Sequence, residues 1–301
     1  MKYFDNQLDM RLVGVCCVCC FRRLFSVLLV VAKRKIIVSL WPENLFGFMR
    51  VTVLGSGASH GLPVLTCDCE VCRSTDRRDH RLRTSIMVQN DGFTLVVDAG
   101  PDFRYQMLRA GVQQVDAVLI THQHHDHIGG FDDLRPFIFR LKHPMPVYAA
   151  REAQEEIRRE YSYSFAENPY PGAPTYDLIE FDQEPFSVGC IDIVPIRLKH
   201  FTMTCHAFRF GRFAYVTDVH EVTDDAMRKL QGVEYLVVEA LMWDKHYSHL
   251  NVEQALKVAS DLNVKKAWLT HVGHHIGLTE KVNALLPENV ELAYDGLVID
   301  C

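Results

Sequence analysis

The stretch "LITHQHHDHIGG", Leu119 to Gly130, places His122, His124, Asp126 and His127 directly after an apolar run and just before Gly129-Gly130. The polar residues begin where the run "VDAVLI" ends, so they sit at the C-terminal mouth of a strand. Two imidazoles one residue apart can chelate one metal from a loop. A carboxylate and the next imidazole, turned away, can serve a second. Burying four polar groups in a row as ordinary core would be costly unless each were paired. His125, the intervening position, is expected to point away.

Working outward, the punctuation is clear from Val51 onward. "VTVLG" is a strand ended by Gly55. "SIMVQNDGFTLVVDAG" reads as a hairpin around Asn-Asp-Gly, with its second strand ending at Asp98. "DFRYQMLRAGV" has helical spacing and a stop at Gly111. "IDIVPIRLKH", "CHAFRFGRFAYVTD" and "VEYLVVEAL" supply further strands. "NVEQALKVASDLNV" is an amphipathic helix followed by the strand "KKAWLTH", and "VELAYDGLVID" closes the chain. The strands are apolar on most positions and need cover on both sides. Two face-to-face sheets with helices outside satisfy that need. "YSYSFAENPYPGAPTYD", Tyr161 to Asp177, reads as an insertion, either a packed surface cover or a substrate lid.

His-x-His-x-Asp-His after an apolar strand, with the preceding "VVDAG", resembles the signature of the metallo-β-lactamase fold hydrolases. The resemblance covers essentially Val51 to Cys301. It implies an α/β chain (α+β in some schemes) folded as a four-layer αβ/βα sandwich with a two-metal site at its edge. The remaining ligands carry over singly, each at a strand end: His200 in "PIRLKHF", Asp218 in "FAYVTD" and His271 in "AWLTH". The resemblance thus implies His122, His124 and His200 on one metal, and Asp126, His127 and His271 on the other, with Asp218 between. Asp98 resembles the carboxylate that orients the ligand loop in that superfamily.

"LTCDCEVCRS", Leu65 to Ser74, holds Cys67, Cys69 and Cys72, three thiols that suggest three corners of a zinc tetrahedron. From the residues alone the fourth ligand stays open among His80, His274, His275 and a remote cysteine. "GSGASHGLPVLTCDCEVC" with "LTHVGH" resembles a narrower group, the phosphoribosyl 1,2-cyclic phosphate phosphodiesterases. That resemblance assigns Cys67, Cys69, Cys72 and His274 to a structural zinc. It also gives His249, in "HYSHLNVEQAL", a place beside the reacting phosphate, with His246 as a rival. Arg81 and Arg83 in "HRLRTS" are weighed as phosphate contacts against plain surface or strand-edge roles.

The implied activity is a phosphoric diester hydrolase (class 3.1.4) using two divalent metals, zinc or manganese. Such a pair, about 3.5–4 Å apart, yields a bridging hydroxide near neutral pH. Asp126 and His249 are the catalytic candidates, and the substrate class is a small cyclic or nucleotide-like phosphodiester. Three alternatives are carried: hydrolysis of a carboxylic ester, lactone or thioester at the same metals; tRNA 3′-processing; and a non-hydrolytic cofactor-biosynthesis role like the pyrroloquinoline-quinone B proteins.

The chain has 301 residues, a net charge of -6, 15 histidines and 10 cysteines. It has no dense Lys/Arg block after the first fifty residues, which argues against a nucleic-acid partner. A cytoplasmic, zinc-using protein without stable membrane association fits the cysteine usage, and homodimerisation is left open. Residues 1–48 need separate treatment. "LVGVCCVCCFRRLFSVLLVVA", Leu12 to Ala32, centres on Arg22 and Arg23. As a membrane span those arginines would cost roughly 5–7 kcal/mol, against roughly 4–7 returned by the apolar side chains. The preferred expectation is that 1–48 is a non-native upstream extension and 49–301 the hydrolase domain; a membrane anchor is the runner-up.

Overall fold

The structure, a computed structural model, describes residues 49–301; the expectations for residues 1–48 fall outside them. The first half runs β1 (Arg50–Gly55), β2 (Ser85–Asn90), β3 (Phe93–Val97), α1 (Phe103–Ala110), β4 (Ala117–Leu119), α2 (His125–Ile128), α3 (Arg135–Leu141), β5 (Met145–Ala149), α4 (Arg151–Glu160) and β6 (Tyr176–Glu180). The second runs β7 (Phe186–Val188), β8 (Ile191–His200), β9 (Met203–Phe210), β10 (Phe213–Val216), α5 (Asp224–Leu230), β11 (Tyr235–Glu239), α6 (Val252–Asp261), β12 (Lys266–Thr270), α7 (Thr279–Asn283), β13 (Val290–Leu292) and β14 (Val298–Asp300).

The strands form two seven-stranded sheets, β14-β1-β2-β3-β4-β5-β6 and β13-β12-β11-β10-β9-β8-β7. Alternation along each strand divides the core in two directions. In β2, Ile86 and Val88 face the second sheet, whereas Met87 faces the helices outside. In β10, Phe213 and Tyr215 point between the sheets and Ala214 and Val216 point outward. Helices α1 to α4 cover the first sheet through Phe103, Met107, Ile128 and Ile157. Helices α5 to α7 cover the second through Leu230, Ala255, Val258 and Val282. The result is the expected αβ/βα sandwich. Because strands β3-β4-β5-β6 and β10-β11-β12-β13 pair in parallel, their C-terminal ends gather along one edge, where ligand sites of α/β sheets form.

Local sequence explains the ends of the elements. Gly111 closes α1 in the left-handed conformation (φ 64°), where glycine carries no Cβ penalty. Asn251 and Gln254 form a reciprocal capping box at the start of α6. The ends of the Tyr161–Asp177 segment pack inward, whereas Ala166–Gly172 is exposed. Tyr161 and Tyr176 lie against Phe131, and their hydroxyls donate to the carbonyls of Ile128 and Phe131. It therefore buttresses the histidine loop from behind. Among the described residues no helix is long and apolar enough to cross a membrane.

Candidate metal centre

His122 and His124 follow β4, Asp126 and His127 lie in α2, His200 is the last residue of β8, and Asp218 and His271 follow β10 and β12. Asp98, Asp218 and His271 take left-handed conformations, with φ of 65°, 55° and 52°. Non-glycine residues seldom hold such angles, and they concentrate where surrounding structure over-determines them for a function. Close backbone approach also matters. A Cβ on Gly100 would collide with the carbonyl of Asp126, and one on Gly130 with the carbonyl of Gly100. The glycines of "VVDAG" and "HIGG" thus let the Asp98 turn and the histidine loop lie against each other.

The side chains converge around Asp218. His122, His124, His200 and Asp218 place their ligand atoms within 4.8 Å of one another, as do Asp126, His127 and His271. Asp218 Oδ2 lies 3.2 Å from His127 Nε2, and its Oδ1 lies 3.2 Å from His271 Nε2 and 4.0 Å from His122 Nε2. Asp218 therefore stands between the two groups. His125 is exposed and turned toward Glu160.

Asp98, fully buried, sets the orientation of this loop. It accepts from the Thr121 N–H (2.8 Å) and hydroxyl (2.9 Å), and from His127 Nδ1 (2.7 Å). The last bond fixes the tautomer that leaves His127 Nε2 free for a cation. We expect Asp98→Asn to weaken metal binding about 10–100-fold, because an amide N–H set against His127 Nδ1 would reverse the tautomer. Titration of metal-free protein with zinc in a competing chelator checks this.

The residues fit a cationic group. The Nε2 atoms of His127 and His271 are buried without a hydrogen bond, although carboxylate oxygens surround them. Burial opposes charge on His127, but Asp218, Asp98 and Asp126 prevail and push its pKa well above the usual value. Burial likewise opposes ionisation of Asp218, and the neighbouring His271 and His127 hold its carboxyl well below the usual range. The buried carboxylates thus favour positive charge at the position that divalent cations would occupy.

One site residue is absent from the sequence reading. Glu239, fully buried at the end of β11, accepts from the backbone N–H of Asp218 (3.0 Å), Val219 (2.7 Å) and Leu250 (3.1 Å). It also accepts from His249 Nδ1 at 3.0 Å. Its carboxyl is pushed up to about 8 by burial and by the charge of Asp218. Glu239 ends the apolar run "EYLVV" just as Asp218 and His271 end theirs, so the signal was present. His249 stacks on His271 (4.9 Å between ring centroids) and lies 4.6 Å from the ring of His200. His200 donates through Nδ1 to the carbonyl of Ser248. His246 lies one ring further out, 5.3 Å from His249.

Of the two roles weighed for Arg81 and Arg83, the phosphate contact finds no support, since both guanidinium groups are engaged within the protein. Arg81 is buried and spent on the Ser56 hydroxyl, the Thr279 hydroxyl and the Ala293 carbonyl. Arg83 pairs with Asp102 and the carbonyl of Ser59.

Cys67, Cys69, Cys72 and His274 form a second group. Their thiol sulfurs lie 3.2, 3.5 and 3.6 Å from His274 Nδ1. A tetrahedron with ligands about 2.0–2.3 Å from zinc has edges of about 3.3–3.8 Å, so these spacings fit. His80 instead reaches the Ser74 carbonyl, and the ring of His275 lies tilted against that of His274.

Histidines and carboxylates on the strand ends of an αβ/βα sandwich define a metallo-hydrolase fold. The chain belongs to the metallo-β-lactamase superfamily: residues 94–272 match the family model described as a beta-lactamase superfamily domain. A crystal structure of a diphosphatase from the PhnP family superposes with a TM-score of 0.80 at 34% identity, covering 85% of this chain and 98% of that one. Zn(2+)-bound PqqB from Methylobacterium extorquens shares the fold, with a TM-score of 0.71 at 19% identity over 84% of this chain and 100% of that one. An octanoyltransferase of Porphyromonas gingivalis is 37% identical over 252 residues, 83% of this chain; the chain spans 51% of that relative's length.

Proposed function

We propose that the protein is a two-metal phosphodiesterase acting on a small cyclic or nucleotide-like phosphodiester. The observation that carries this reading is the complete set of His122, His124, His200, Asp126, His127, His271 and Asp218 with the His249–Glu239 pair beside it. The likeness to a PhnP-family diphosphatase over nearly its whole length adds support for a phosphoryl substrate. His122, His124 and His200 would hold one ion, Asp126, His127 and His271 the other, with Asp218 shared. When bound, zinc or manganese supplies an activated water near neutral pH and an electrophile for a phosphoryl oxygen.

The chain's own residues do the rest. The carbonyl of Ser248 fixes the ring of His200. Glu239 accepts from His249 Nδ1, so Nε2 of His249 is the atom that can hold a proton for the departing oxygen. Glu239 orients His249 through that bond and also braces the Asp218 turn through two backbone N–H groups. The zinc-type group of Cys67, Cys69, Cys72 and His274 stands apart from this chemistry as a structural site. We expect His249→Ala to lower turnover about 10²–10⁴-fold while metal content by elemental analysis stays at the wild-type level.

A second reading, hydrolysis of an acyl ester or thioester on the same residues, has one observation behind it, the octanoyltransferase relative. An assay panel separates the two: bis-p-nitrophenyl phosphate, cyclic nucleotides, lactones and acyl thioesters, each with zinc or manganese supplied. Turnover of phosphodiesters supports the first reading. Turnover of lactones or thioesters alone overturns it.

A further inference from the structure

We propose that Phe201 and Tyr247 form a stacking platform beside the metal centre for the planar heteroaromatic group of a nucleotide-like substrate. This rests on the phosphodiesterase reading and names the part of the substrate that the metals do not hold. Phe201 directly follows His200, and Tyr247 stands two residues before His249. Both are large aromatic rings left open to solvent, 57% and 72% exposed. They meet edge to face with centroids 5.7 Å apart, and His246 backs Tyr247 at 4.3 Å. A continuous line of rings therefore runs outward from His200 through His249 and His246 to Tyr247 and Phe201.

The backbone holds these rings in place. Phe201 sits at φ 54°, a conformation that bulky residues rarely take, and its N–H donates to His220 Nδ1. Tyr247 lies between His246 and Ser248, which are tied to each other at 3.1 Å, while Ser248 is tied to His200. Strained backbone presenting an exposed ring next to a reactive centre is a feature of binding rather than of packing. An open ring face suits a planar partner, because stacking gains from one face without needing enclosure. Base stacking on aromatic side chains is tolerant of base identity and weakens on alanine substitution by about tenfold or more.

The test compares a nucleoside 2′,3′-cyclic phosphate with methyl riboside 2,3-cyclic phosphate, which lacks only the base. Wild-type protein should favour the base-bearing diester about tenfold, through KM. F201G/Y247A should lose that preference, leaving the base-free diester unchanged; glycine accepts the positive φ, so the fold is kept. Tyr247→Phe should retain the preference. Equal losses on both diesters, or no preference in the wild type, would overturn the platform. Binding gives a reading independent of turnover: the Kd of AMP against that of ribose 5-phosphate, by calorimetry on the zinc-loaded wild type and double variant. If neither diester is hydrolysed, the phosphodiesterase reading fails; if in addition AMP and ribose 5-phosphate bind alike, the platform fails too.

Discussion

Asp218→Asn should reduce kcat/KM by about 10²–10⁴ and leave the purified protein short of metal. Both oxygens of Asp218 are committed: Oδ2 faces His127, and Oδ1 faces His271 and, more distantly, His122. Among the described residues no other carboxylate pairs with both His122 and His127. An amide nitrogen in place of one oxygen cannot donate a lone pair, and the buried cluster loses one negative charge. Removing one partner from a buried charge pair costs about 3–5 kcal/mol, and each 1.36 kcal/mol is tenfold, which gives the stated range. The Asp218 turn itself should survive, because its N–H is held by Glu239 rather than by the side chain. Circular dichroism should therefore match the wild type while elemental analysis shows the loss. Full activity with full metal content would mean that Asp218 is not the shared ligand.

The histidine motif, His200, Asp218 and His271 were readable because each closes an apolar run, a pattern that survives in one dimension. Glu239 in "EYLVVE" follows the same pattern, a carboxylate closing an apolar run. Other features depend on contacts that sequence order hides. Arg81 looks like any strand-edge arginine until Ser56, Thr279 and Ala293, the last two about two hundred positions away, fold over it. The antiparallel pairing of β1 with β14, which joins Arg50 to Asp300, is equally non-local. Strand β5, "MPVYA", gave little signal because it is short and begins with Met-Pro. The stacking rings at Phe201 and Tyr247 were invisible for a different reason. Aromatic residues are ordinarily core, and only their exposure beside His200 and His249 sets them apart.

Cys69→Ser should remove one equivalent of zinc, lower Tm by about 10 °C and reduce turnover about tenfold. The three thiols and His274 enclose a space of zinc dimensions, and backbone N–H groups point at two of the sulfurs: Cys72 at Cys69 and Val64 at Cys72. The backbone donor lowers the pKa of Cys69, whereas burial pushes Cys72 up to about 11. Cys72 is thus the thiol that most needs a cation to ionise. Structural zinc contributes on the order of 10 kcal/mol in small domains; if a third of that is lost here, Tm falls by about 10 °C in a domain of this size. The link to turnover is geometric. His274 follows His271 by three residues, and between them Val272 is clamped to the first loop, its N–H donating to Ser56 and its carbonyl accepting from Ala58. Loosening the cysteine loop therefore loosens the backbone that holds His271 in its left-handed turn. Elemental analysis, differential scanning calorimetry and steady-state rates on one preparation test the three effects together. Zinc loss with unchanged Tm would refute the staple, and zinc loss with lowered Tm but full turnover would show that it does not reach His271.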